Sequence, residues 1–301
     1  MRSMAPNTEF DIVMIGHFAK DRLVVDGQAE IAPGGGVYYG SVALRRLGVD
    51  VAVVTRLRAD DFPLLDDLKQ EGVQVFATPA PETSGIENIY DSSDMERRVC
   101  KPLGFAGSFQ REDIPDLSAR VYVVASIMAG EVDLALLKSL AQRAPVAIDI
   151  QGFVRVREDG DLAFRQWPDM EEGLSHVTYL KVDRAEAELL TGLTDLVAAA
   201  RRLAEYGPRE VVLTQSSGVT VFADGQVYQA PFTPRSLGGR TGRGDTCFAA
   251  YLGRRLTSSP AEATRLAAAV TTFKQEQSGP WRGTLADVEA LLADNRREPS
   301  A

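Results

Sequence analysis

What most constrains this chain is a repeated alternation of short, β-branched apolar runs with amphipathic helical stretches. Residues 10–16 read as a strand ending in Gly16, and Gly34-Gly35-Gly36 precedes a helical run over 37–47 closed by Gly48. A buried-type strand at 51–55, a helix around 63–71 and a strand at 73–76 repeat the unit. Further buried strands at 121–124, 146–149, 179–182 and 211–214 are separated by helices at 132–143, 184–191 and 196–206. Wholly apolar strands set between helices predict a mostly parallel sheet covered on both faces. Two stretches break the rhythm. Residues 22–31 and 85–101 show strand-like alternation without helices of their own, and predict a small antiparallel sheet hanging over a site as a lid. A hairpin over 219–232, a Gly-rich loop and helices from 246, 261 and 284 complete a single domain.

A chain of 301 residues with net charge -9 lacks the basic footprint that a nucleic-acid backbone requires. Cys100 and Cys247 form no metal-ligand or disulfide pattern, no run reaches membrane-spanning length, and residues 1–10 lack a signal-peptide core. The expectation is a soluble cytoplasmic protein with a small-molecule partner, no nucleic acid and no membrane.

The chemistry concentrates in Gly238-Gly239-Arg240-Thr241-Gly242-Arg243-Gly244-Asp245-Thr246, which runs directly into a helix. Glycines let backbone amides turn inward at a helix N-terminus, which makes an anion site. Asp245 at the helix start would be kept ionised by the dipole and could take a proton from a hydroxyl attacking a bound phosphorus. A helix-capping aspartate on a glycine turn is the plainer reading of the same residues. No glycine precedes a lysine, so there is no Walker A loop, and neither Gly-rich segment satisfies GxGxxG.

Gly242-Arg243-Gly244-Asp245 resembles the GAGD element of the ribokinase-like (PfkB) carbohydrate kinases, with Arg243 in place of alanine. Gly34-Gly35 with Leu47-Gly48, the segment Lys181 to Gly192, and Thr214-Gln215-Ser216-Ser217-Gly218 resemble three further family motifs in the same order. The resemblance implies a ribokinase-like α/β fold whose lid comes from about 17–33 and 84–104. It also implies ATP with Mg²⁺, and phosphoryl transfer to a sugar or polyol hydroxyl. Asp245 becomes the base, with anion-hole amides from Gly242, Arg243 and Gly244. Asp183 and Glu186 would orient the metal from one helix face, and Lys181, Thr214, Ser216 and Gly218 would contact the nucleotide. Asp21, Gly34, Gly35 and Tyr39 would line the substrate side. Arg155 follows a buried strand and either lines the substrate side from the strand's C-terminal end or is a surface arginine; His17, beside that mouth, either bonds a hydroxyl or packs against the lid.

Departures from the family pattern matter. Gly239 and Arg240 replace an Asp-Thr pair, which puts the monovalent-cation site in doubt; Arg240 either replaces the ion's charge or contacts a phosphate. Tyr39 stands for a substrate-binding asparagine, which points away from ribose and fructose toward the branch resembling myo-inositol kinase. A nucleoside kinase on the same scaffold and a non-catalytic sugar- or nucleotide-binding regulator stay open, and exposed lid edges predict a homodimer.

Overall fold

The structure, a computed structural model, describes residues 8–91 and 94–294. Its strands are β1 (Glu9–Ile15), β2 (Ala19–Val25), β3 (Gln28–Gly34), β4 (Val51–Leu57), β5 (Gln74–Pro79), β6 (Gly85–Asp91), β7 (Asp94–Gly104) and β8 (Ser118–Val124). They continue with β9 (Val146–Asp149), β10 (Arg155–Glu158), β11 (Asp161–Phe164), β12 (Tyr179–Asp183), β13 (Glu210–Gln215), β14 (Gly218–Ala223) and β15 (Gln226–Pro231).

A nine-stranded sheet runs in the order β15-β14-β13-β12-β9-β8-β1-β4-β5. From β5 to β13 every pairing is parallel; β14 and β15 turn back as an antiparallel edge. Side chains alternate across the pleat, so Ile12 and Met14 of β1 enter one apolar layer and Val13 and Ile15 the other. Burial of each such side chain contributes about 1.5–3 kcal/mol, which fixes the strand ends that carry the chemistry. After β1 the chain winds to β4 and β5 on one side, then returns to β8, β9, β12 and β13 on the other. The winding therefore reverses beside β1, the place where open α/β sheets bind ligands at strand C-termini.

The second sheet, β3-β2-β6-β7, has four strands. It is not wholly antiparallel as the sequence alternation suggested: β2 and β6 pair in parallel, from Arg22↔Glu87 to Val25↔Tyr90. The whole β3–β5 unit, with its helices, separates them, which gives the chain room for a parallel return. Ala19 and Ile86 join this sheet to Ile127 and Met128 in a small apolar cluster.

The hairpin β10–β11 was not expected from the sequence, because its strands are only four residues long and half polar. Its turn was nevertheless legible: Asp159 and Gly160 take φ of 51° and 87°, the Asp-Gly pattern of a two-residue hairpin. Among the described residues no helix is long and apolar enough to cross a membrane.

Candidate active site

A cavity of about 150 Å³ opens where β9, β12 and β13 end, between the small sheet and the Gly-rich loop. Asp245, Lys181, Asp183 and Thr214 line it from the main sheet side, and Arg240, Gly242, Arg243 and Gly244 from the loop. Asp21 and Asn88 reach it from the small sheet, Gln151 and Arg155 from the segment after β9. Residues far apart in sequence thus meet in one polar chamber.

The helix Arg243–Arg255 starts on Gly242, whose φ of 81° places it in the left-handed region that favours glycine. Asp245 is therefore the third residue of the helix, and its capping role falls away. Not every expected amide is directed inward: the Arg243 N–H donates to the Arg240 carbonyl at 3.2 Å and closes the turn. Arg243 lines the cavity all the same, within the first turn of the helix. A Cβ on Gly242 would lie 2.3 Å from the Tyr39 ring, and one on Gly36 2.9 Å from Asp245 Oδ1. Gly242→Ala is expected to cost about 1–3 kcal/mol through backbone strain, measured as a lower urea midpoint, together with a loss of activity.

Lys181 on β12 lies 3.0 and 2.9 Å from the two Asp149 carboxylate oxygens of β9, and 3.8 Å from Glu186 Oε2. The register sets this meeting, since Lys181 and Asp149 are partners across the parallel ladder. Burial opposes the Lys181 charge, but Asp149, Glu186, Asp183 and Asp245 outweigh it and hold the ammonium protonated well above its ordinary range. Glu186 is pushed up to about 7, first by burial and then by Asp183 and Asp149, against the pull of Lys181. Burial, then Asp149, also raises the Asp245 carboxyl, while Lys181, Arg155 and its own amide draw it down. Desolvation thus outweighs the helix-dipole effect expected from sequence.

Asp183 and Glu186 do not stand as a free pair on one helix face. Asp183 is the N-cap of Arg184–Thr191: its Oδ1 accepts from the Glu186 amide at 2.8 Å, and Glu186 Oε2 accepts from the Asp183 amide at 2.7 Å. The donor set still fits Mg²⁺, which needs only one or two carboxylates beside phosphate and water. Asp183 lines the cavity, whereas Glu186 is buried behind it, outside the lining, with the Lys181 ammonium 3.8 Å away.

On the opposite wall, Asp21 Oδ1 accepts from the Ile86 amide at 2.8 Å. A Cβ on Gly34 would sit 2.1 Å from its other oxygen, so only glycine admits the carboxylate there. Gly35, at φ 91°, lies so close to the His17 carbonyl that a Cβ would come within 2.5 Å. Arg155 is buried and donates to Gln151 Oε1 at 2.6 Å, which fixes its guanidinium at the cavity. Asn88, Gln151 and Asp149 were missed as site residues; Asp149 alone carried a signal, as an acid ending an apolar strand. Ser216 and Gly218 lie at the β13–β14 turn, outside the cavity lining. Gly218 serves strand contact, since a Cβ would meet the Ala230 carbonyl at 2.6 Å. His17 is buried against Phe105 and Phe109, with Ser84 Oγ 2.7 Å from Nδ1 and the Gly107 carbonyl 2.9 Å from Nε2. Burial holds it below its ordinary pKa despite the nearby Glu131.

The family model described as pfkB family carbohydrate kinase matches residues 7–283. Among solved structures, the chain is similar to a sulfate complex of a pyrophosphate-dependent kinase in the ribokinase family, at 39% identity and TM-score 0.87, over 93% of this chain and 99% of that one. A pyrophosphate-dependent kinase of the same family, complexed with a pyrophosphate analog and myo-inositol, is 38% identical with TM-score 0.86 over the same shares, 93% and 99%. The cytidine kinase of Thermococcus kodakarensis is 27% identical over 265 residues, 84% of this chain and 91% of that protein.

Proposed function

The chain belongs to the pfkB family of carbohydrate kinases, phosphotransferases acting on a hydroxyl, and within it we propose a kinase that transfers phosphate from pyrophosphate to a cyclic polyol such as myo-inositol. The observation that carries this reading is the cavity itself: Asp245 directly follows the glycine loop, and Lys181, Arg155, Arg240 and Arg243 line the same chamber. Pyrophosphate is anionic throughout and asks only for cations and N–H donors, which this lining supplies. ATP, the donor that the family resemblance implied, also needs a slot for its base. The solved structures at 38–39% identity are of pyrophosphate-dependent kinases, which favours the smaller donor.

In this reading Asp21, Asn88, Gln151 and Arg155 orient the polyol through neighbouring hydroxyls. The reacting hydroxyl attacks phosphorus in line, and Asp245 accepts its proton. The new oxygen–phosphorus bond forms as the bridging bond of pyrophosphate breaks, releasing orthophosphate. The loop amides and guanidinium groups stabilise the charge on the transferring group. Asp183 would hold Mg²⁺, which when bound neutralises donor charge. The small sheet acts as the lid, carrying Asp21 and Asn88 and excluding water.

A donor and acceptor panel tests this. Pyrophosphate with myo-inositol should support turnover, and ATP should do so at most weakly. Turnover with ATP alone would overturn the donor assignment. Phosphorylation of cytidine but of no polyol would favour the nucleoside kinase that the Thermococcus relative suggests.

A further inference from the structure

We propose that the ammonium of Lys274 is a positioning group for the phosphate loop, a tethered monovalent cation that keeps residues 238–244 in the shape catalysis requires. Lys274 lies in the last turn of the helix Pro260–Gln275 and is fully buried. Its Nζ donates to the Gly239 carbonyl at 2.8 Å and to the Gln277 carbonyl at 3.3 Å, and stands 5.5 Å from the centre of the Tyr39 ring. Carbonyl oxygens and an aromatic face are the ligands that a bare monovalent cation takes, and here a side chain delivers the charge.

The grip reaches the loop at both ends. At the near end the ammonium binds Gly239 directly, while the Gly238 and Gly239 amides both donate to the Gln275 carbonyl at 2.9 Å. A Cβ on Gly239 would lie 1.6 Å from the Gln277 carbonyl oxygen, so the close approach of loop and helix end requires glycine. At the far end the Tyr39 ring, under the ammonium, packs against Gly242, the residue on which the helix of Asp245 starts. Lys274 thus touches both turns that aim the loop at the cavity without lining the cavity itself. Gly239 stands where the family resemblance has an aspartate, and the charge that the sequence reading assigned to Arg240 or an ion is supplied here from another helix.

The groups facing the ammonium are the two carbonyls, the Tyr39 ring and, at longer range, the Asp245 carboxylate. Burial lowers the Lys274 pKa to about 8, against the opposing pull of Asp245. The tether is therefore charged at neutral pH and is lost as pH rises through that value.

This inference rests on the proposed phosphoryl transfer, so the test reads both turnover and direct pyrophosphate binding by calorimetry. Lys274→Met and Lys274→Ala are compared with wild type in sodium, potassium, ammonium and methylammonium buffers, with folding checked by circular dichroism. Both variants should lose roughly 10²-fold in kcat/KM, as expected for a misplaced loop, and should bind pyrophosphate more weakly. Ammonium or potassium should restore part of the Lys274→Ala loss, because that truncation leaves a vacated cation site; the methionine fills it and should not respond. Wild type should be indifferent to these ions and lose activity above about pH 8. A Lys274→Met enzyme with wild-type kinetics, a Lys274→Ala deficit that no cation changes, or a wild-type profile flat well beyond that pH would overturn the proposal. If neither variant folds, the wild-type profile decides. Should wild type bind pyrophosphate but phosphorylate no acceptor, the proposed function fails, while the effect of Lys274→Met on pyrophosphate binding still decides the role of Lys274.

Discussion

Asp245→Asn is expected to lower kcat by about 10²–10⁴-fold while pyrophosphate and polyol still bind within a few-fold of wild type. Asparagine keeps the shape of the side chain on the third residue of its helix but cannot accept a proton from the attacking hydroxyl. The pH profile gives a second signature. Burial and Asp149 raise the Asp245 carboxyl, so wild-type activity should be lost on acidification at a pH above the ordinary carboxylate range. That acid limb should vanish in the variant. Stability should move in the opposite direction to activity. A carboxyl whose folded pKa is raised favours the folded state at low pH and loses that contribution as pH rises through the folded value. At neutral pH the charged Asp245 is thus a net cost, and asparagine should leave urea stability equal or higher. A variant both inactive and unstable would point to a structural role.

Lys181→Met should have the largest effect on stability, about 3–5 kcal/mol at neutral pH, because it strips the cation from a buried cluster and leaves its carboxylates uncompensated. Lys181, Asp149 and Glu186 are all buried, and the lysine lies within 3.0 Å of Asp149. The pH dependence follows from the sign of the shifts. Glu186 already sits near 7 although Lys181 draws it down, so without Lys181 it would move further up. Protonating Glu186 relieves the repulsion, so the deficit should shrink as pH falls and be greatest above neutrality. Urea unfolding across this range is the check. A deficit below about 1 kcal/mol, or one independent of pH, would mean that the cluster is well solvated.

The parts of this site that sequence made legible share a physical cause. The β-branched runs at β1, β4, β8, β9, β12 and β13 could only be buried strands, and a buried parallel sheet places its ligands at the strand ends. Four glycines packed around two arginines just before Asp245 could serve an anion or a turn; the turn forms at Gly242, and the loop lines the cavity. What stayed hidden depended on distant partners. Lys274 reads as one polar residue near a helix end; its meaning comes from Gly239, 35 positions away. Asp183 and Glu186 satisfied two patterns at once, a metal-facing pair and a capping box, and spacing alone could not rank them. The β10–β11 hairpin lacked apolar alternation, although it follows directly on the segment that carries Gln151 to the cavity.

The most direct measurement is a crystal structure with a non-hydrolysable pyrophosphate analogue and myo-inositol bound together. One inositol oxygen should lie within hydrogen-bond reach of Asp245 and about 3–3.5 Å from the terminal phosphorus, with that phosphate against residues 242–244. An inositol that presents no hydroxyl to Asp245, or an analogue seated away from the glycine loop, would contradict the account.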